Sequence, residues 1–268
     1  MNALIAAIFV WGLVLWMFMR RRFGPPLGRW ARAVAFKPKE PMSPEQLFGC
    51  LLSANFALLT RDNFNQLASA LPLRRVTSLL REHWGIEDAS GCVGVIDDRI
   101  ERIGQMSASE KHAIAAWLAG SQVDSNEFAA LEDTCRFMSL RARITSELQH
   151  GHLSVLAWDI QQLAYLLRLA YSAGHISRDE TESALERLKQ RARSHYASWE
   201  DYSLSSLVGL GMRGSLEIFD EVEWTQFART HSVLVGQPRS PVRHAAAWNG
   251  VGKPREARCA SAPELLPA

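Results

Sequence analysis

The chain has 268 residues, 22% of them charged, with 30 Lys and Arg against 28 Asp and Glu for a formal net charge of +2. That balance excludes a chain disordered by charge and gives no strong field for polyanions, and the length allows one sizeable folded domain beside shorter segments. Four widely scattered cysteines, Cys50, Cys92, Cys135 and Cys259, show no C-x-x-C pair, so neither a zinc site nor a disulfide framework is indicated.

Residues 2–19 (NALIAAIFVWGLVLWMFM) carry no charge, and Arg20, Arg21 and Arg22 follow at once. A helix over this run rises about 27 Å, enough to cross a hydrocarbon core of roughly 30 Å with snorkelling flanks. A cleaved signal peptide would begin with basic residues and end in a small-x-small site, and neither is present. Residues 1–22 are therefore expected to form a single transmembrane anchor with a basic stop. Positive charge only after the span predicts an outer N-terminus and a domain on the cytoplasmic side of the membrane.

Residues 23–43 are rich in Pro, Gly and basic residues and read as a linker along the membrane surface. With the stop they bring seven basic residues, Arg20, Arg21, Arg22, Arg29, Arg32, Lys37 and Lys39, and no acid between Arg20 and Lys39. Such a stretch is attracted to anionic lipid at the inner leaflet. No aromatic–basic interleaving continues downstream, so nucleic acid is not an expected partner.

Ser43-Pro44-Glu45-Gln46 has the signature of a helix start, with a Ser cap, Pro in the first position and Gln three residues on, so the folded domain is placed at 44–248. Apolar residues recur at helix spacing through Leu47, Leu51, Leu52, Phe56 and Leu59, then Leu67, Leu71, Val76, Leu79 and Leu80. Ser107 to Glu110 opens a helix that Gly120 closes, and Asp124 to Glu127 opens another. The expectation is an all-α fold of eight to ten helices, with a small strand pair around Val93 to Ile96 as the one alternative. Residues 249–268 have the composition of a disordered tail.

The densest pattern runs from Trp158 to Gly209. Ile160, Leu163, Leu167, Ala170 and Tyr171 give one helix its apolar face, and Gly174 can end it in a left-handed cap. Ser177 to Glu180 is a capping box for a second helix, packed through Ala184, Leu185 and Leu188, and Ser198 starts a third. So short a turn makes the first two antiparallel.

These motifs resemble a bacterial family known only as domain of unknown function 1266, whose members share W-G-I, W-D-I-x-R, R-x-G-Y-x-x-G-Y-I, S-W-E, G-R and S-P-W steps. The matching residues are Trp84, Gly85 and Ile86; Trp158, Asp159 and Ile160; Arg168, Tyr171, Gly174 and Ile176; Ser198, Trp199 and Glu200; Gly209; Ser240, Pro241 and Trp248. The resemblance covers roughly residues 45–248. Polar positions depart from it: Gln162 stands for the Arg of W-D-I-x-R, His175 for Tyr, Leu210 for Arg and Val242 for Trp.

Two chemistries follow for Asp159 and Arg168. They either form a polar cleft with His175 and Glu200 as weak catalytic candidates, or Asp159 favours its helix N-terminus while Arg168 pairs with a carboxylate such as Glu200. His150 and His152 flank Gly151 without a carboxylate or Cys at helical spacing, so no metal is expected. Trp84, Trp158, Trp199, Trp224 and Trp248 read as wedges between helices rather than stacking platforms. Ser198 and Ser240 lack the G-x-S-x-G context, and no phosphate-cradling glycine run exists, so no cofactor is expected. The leading functional expectation is a membrane-tethered module that binds an unidentified protein. The alternatives are an enzyme or toxin-like effector and an immunity-type protein at the membrane.

Overall fold

A computed structural model describes residues 40–140, 152–213, 221–236, 240–244 and 248. The anchor, its seven basic residues, most of the linker, the tail and His150 lie outside the described residues, as does the side chain of Trp224. Among the described residues no helix is long and apolar enough to cross a membrane.

The described chain is all helical. In order the helices are α1 (Pro44–Leu51), α2 (Ala54–Leu59), α3 (Leu73–Trp84), α4 (Ala89–Arg102), α5 (Ala108–Leu118), α6 (Asn126–Leu140), α7 (Leu156–Ala173), α8 (Arg178–His195), α9 (Trp199–Arg213), α10 (Glu221–Gly236) and α11 (Pro241–His244). Val93 to Ile96, where the sequence allows a small strand pair, is part of α4. The β-branched residues Val93, Val95 and Ile96 make too short a run for a period of two to hold, while Asp88 supplies a cap by accepting from the Gly91 amide.

The capping signatures act where the sequence puts them. Ser43, Ser107 and Ser177 each accept from the third amide of the helix, and Gln46, Glu110 and Glu180 reach back to the cap amide. One differs: α6 begins at Asn126 and its cap is Ser125, whose Oγ accepts from the Phe128 amide, rather than Asp124. Gly174 ends α7 at φ 76°, a left-handed conformation that an L side chain adopts only with strain.

α7 is the central helix, packed against α9, α8, α3, α2, α4 and α1. Its sequence LAWDIQQLAYLLRLAYSA is apolar on nearly every face, and a helix of that kind is stable only when surrounded. α9 meets α7 closely because Gly209 lacks a side chain, and meets α6 closely because Gly211 does. A Cβ on Gly209 would stand 2.6 Å from Cβ of Trp158 and 3.2 Å from Cα of Val155, and one on Gly211 would stand 1.8 Å from Oγ1 of Thr134 on α6. At the other end, α1 brings Phe48 into an aromatic cluster, with ring centroids 4.5 Å from Trp199 and 5.2 Å from Trp248. Trp248 donates from Nε1 to the Tyr196 carbonyl at 2.8 Å. Trp84, Trp158, Trp199 and Trp248 are all buried, so these four aromatics are core wedges.

Candidate functional site

The two polar residues of α7 singled out in the sequence stand nine positions apart, two and a half turns, and therefore on opposite faces. They do not share a cleft. Arg168 is fully buried at 0% exposure and, among the described residues, meets no carboxylate oxygen. Its Nη2 donates to Oδ1 of Asn63 at 2.6 Å and to the Asn63 carbonyl at 2.8 Å. Its Nε points at the carbonyls of Gln66 and Leu67, and Nη1 donates to Oγ of Ser53.

The guanidinium is thus the centre around which the connection between α2 and α3 is folded. Asp62, also buried, completes it: one carboxylate oxygen accepts from the amides of Asn63 and Ala70, at 2.8 and 2.7 Å. The hydroxyl of Ser172 on α7 accepts from the Ser69 amide at 2.8 Å. Arg61 within this connection has φ 60°, a strained conformation for a non-glycine residue that the surrounding bonds must hold. Pairing of Arg168 with Glu200, the alternative expectation, is not found either. Glu200 is exposed near the start of α9, where Ser198 caps the helix by accepting from the Asp201 amide.

Asp159 has a cationic partner, but from α9. Nη1 of Arg213 donates to both carboxylate oxygens at 2.6 and 2.8 Å, and the Gly104 amide donates to Oδ2 at 2.8 Å. The same guanidinium binds Oε1 of Glu110 through Nε at 2.8 Å and the Gln105 carbonyl through Nη2 at 2.5 Å. One arginine therefore joins α5, α7, α9 and the α4–α5 turn. Gln162, one helical turn beyond Asp159, takes no part in this network.

The two carboxylates respond differently. Burial pushes the Asp159 carboxyl up, and Arg213 with the Gly104 amide only partly reverses this. Burial also acts to raise Glu110, but hydrogen bonds from Arg213 and Ser107 outweigh it and hold that carboxyl low. Asp159 and Arg213 form one wall of a cleft of about 390 Å³ whose other lining includes Arg99, Arg102, Asp98 and Leu163. Arg102 is paired with Asp98, while Arg99 is half-buried and makes no ion pair or side-chain hydrogen bond among the described residues.

His175 lines a different and wider cleft, of about 950 Å³, formed with the outer face of α3. His152 is buried and bonds Oδ1 of Asp201 at 3.1 Å, and that contact is the largest cause of the lowered Asp201 carboxyl. Among the described residues no group of His, Cys, Asp and Glu could hold a metal ion. Cys50 and Cys92 are buried free thiols, and burial pushes both up to about 11. The remaining motif residues sit in structural roles: Gly85 is the left-handed cap of α3 at φ 66°, Ile86, Ile160 and Ile176 are buried, and Tyr171 packs at the rim of the main core. Ser240 is buried ahead of Pro241, which starts α11.

Sequence reasoning missed Arg213, Asp62 and the ionic role of Glu110. Glu110 was visible only as a capping residue, and Arg213 and Asp62 carry no spacing signal linking them to α7. No curated protein and no solved structure matches the chain. A family match spans residues 79–248, beginning within α3 and leaving α1, α2 and the connection that encloses Arg168 ahead of it. Over that span the chain belongs to the family described as Protein of unknown function (DUF1266).

Proposed function

We propose that this chain is a membrane-tethered helical interaction module, holding a folded body against an anionic inner leaflet and presenting it to a protein partner. The observation that carries this is how its polar groups are used. Arg168, Asp159, Glu110, Arg213 and His152 are engaged by partners within the chain. Several cations have no ion pair or side-chain hydrogen bond among the described residues, and three of them, Arg74, Arg81 and Arg99, line open clefts on helix surfaces. Bonds of the first kind hold helices together, and charges of the second kind recognise an outside surface. The uncharged run at 2–19 and the basic stretch after it support the tether.

Affinity capture of the full chain in mild detergent tests the proposal, comparing wild type with Arg99→Glu on the surface. A protein captured in constant ratio by wild type and lost from the variant at unchanged helicity is the expected result. A monomer without a partner in both would overturn it. Orientation is checked by a reporter fused after Ala268, expected to be active only in the cytoplasm.

One observation favours catalysis instead: Asp159, raised by burial, lines a cleft of about 390 Å³ beside Arg99. That cleft does not contain Arg168, His175 or Glu200, the other residues proposed for it from sequence.

A further inference from the structure

The cleft of about 390 Å³ lies where α4 packs on α7. Asp159 and Leu163 stand one turn apart on α7, and Arg99 and Ile103 follow the same spacing along α4 into its C-cap. Each side therefore presents one charge and one apolar side chain. The two charges do not meet: Arg99 is half-buried and makes no ion pair or side-chain hydrogen bond among the described residues. Burial pulls its guanidinium down from the usual range, and the field of Asp159 counters this from a distance. Arg102, the next arginine of the cleft, is taken by Asp98.

On the α7 side, Arg213 is shared between Asp159 and Glu110, so with both carboxyls ionised that cluster holds one negative charge in excess. Oδ2 of Asp159 accepts from Arg213 and from the Gly104 amide, whereas Oδ1 accepts from Arg213 alone and has room for another donor. The Asp159 side chain is 18% exposed, enough for a small molecule to reach it. The cleft with the groups bonded to it is thus neutral in sum but divided. A simple anion would be repelled by Asp159 and a simple cation by Arg99, and a molecule that carries both charges satisfies each.

We propose that this cleft binds a small zwitterion of the amino-acid class, with its carboxylate on the Arg99 guanidinium, its ammonium on Oδ1 of Asp159 and its apolar part against Ile103 and Leu163. The volume is that of a small-molecule site, and a guanidinium fork receives a carboxylate through two parallel bonds. The Asp159 carboxyl, raised by burial, is steadied in its ionised form by an adjoining ammonium. The inference goes beyond the partner reading and does not rest on it, because capture of a protein neither requires nor excludes a ligand in this cleft.

Melting midpoints of the full chain in detergent, with each common amino acid at millimolar concentration, select the probe, and calorimetric titration without any partner measures its binding. At least one amino acid with an apolar side chain is expected to raise the midpoint and to bind at a single site. The same molecule without its amine, and the same molecule without its carboxylate, should each bind about tenfold more weakly or worse, since each loses a charge-assisted bond. Arg99→Met removes a charge that holds nothing within the described chain. It should weaken the amino acid by about 10- to 100-fold and leave the amine no weaker than with wild type. Asp159→Asn should do the converse, sparing the carboxylic acid; if that variant fails to fold, the two truncated probes still test the Asp159 contact. No binding by any amino acid would overturn the proposal and leave Arg99 as the distant counter-charge of Asp159 and Glu110. Equal binding by the acid without its amine would also overturn it, assigning the cleft to a simple anion. So would undiminished binding by Arg99→Met, which would place the ligand elsewhere.

Discussion

Replacement of Arg168 by Met keeps the volume of the side chain and removes its charge. It leaves the carbonyls of Asn63, Gln66 and Leu67 and Oδ1 of Asn63 without their donor, all in a place from which water is excluded. At roughly 1–3 kcal/mol for each unsatisfied buried acceptor, full exposure of the loss would exceed 4 kcal/mol. Partial opening of the connection between α2 and α3 admits water to some of these acceptors and brings the cost down to about 4 kcal/mol. A value of about 4 kcal/mol lowers the melting temperature of a domain this size by about 8–16 °C. Far-UV circular dichroism of the full chain in detergent measures the midpoint, and hydrogen exchange measures the connection. The amides of Asn63, Ser69 and Ala70, each held by a side-chain oxygen, should exchange faster than in wild type. Arg168→Lys should fall between the two, because one ammonium cannot satisfy acceptors spread over a guanidinium's fork. A methionine variant that melts within about 2 °C of wild type with those amides still protected would refute the assignment of Arg168 as the centre of the connection.

Three further outcomes follow from the packing and charges. Gly209→Ala should cost about 1–3 kcal/mol by forcing α9 from α7, and Gly211→Ala should do the same against Thr134; denaturant midpoints measure both, and a neutral effect at both positions would contradict the close helix approach. His231 is buried against Oγ of Ser203 and burial lowers it to about 4, so the unfolded chain takes up the proton first as pH falls below about 6.5. Stability should accordingly decline by about 3 kcal/mol between about pH 6.5 and 4, and His231→Gln should flatten that part of the pH profile. Arg213→Met leaves Asp159 and Glu110 buried without their cation, which raises both carboxyls; the variant should be destabilised near neutral pH, with the deficit against wild type shrinking as the solution is acidified and the carboxyls protonate. A deficit independent of pH would show that Arg213 acts through packing alone.

The expected tether at 1–22 is carried by composition, and no described helix bears on it. Within the folded part, local chemistry was legible to the residue: the Ser43, Ser107 and Ser177 caps and the Gly174 stop each depend on neighbours within four positions, so their geometry is written in contiguous sequence. The slip at α6 is of the same local kind, since Asp124 and Ser125 both have capping side chains and only the backbone chooses between them. The mixed pattern near Val93 was ambiguous for the opposite reason, being too short for its period to decide.

The candidate site divides along the same line. Asp159 and Arg168 could be picked out of the sequence as polar residues in an apolar helix, and their separation by nine residues already implies opposite faces. Their partners could not, because Arg213 lies 54 positions from Asp159 and Asn63 lies 105 from Arg168, and a bond over that distance leaves no trace in local spacing. By itself the sequence determined helix class, helix ends, family and the apolar run at 2–19, since each is set by neighbouring residues or a short ordered motif. Only the tertiary structure decided that the two charges close separate networks and that Arg74 and Arg81 of α3 line a cleft with His175. Long-range pairing depends on how α7 is enclosed by the helices packed around it, and that enclosure exists only once the chain has folded.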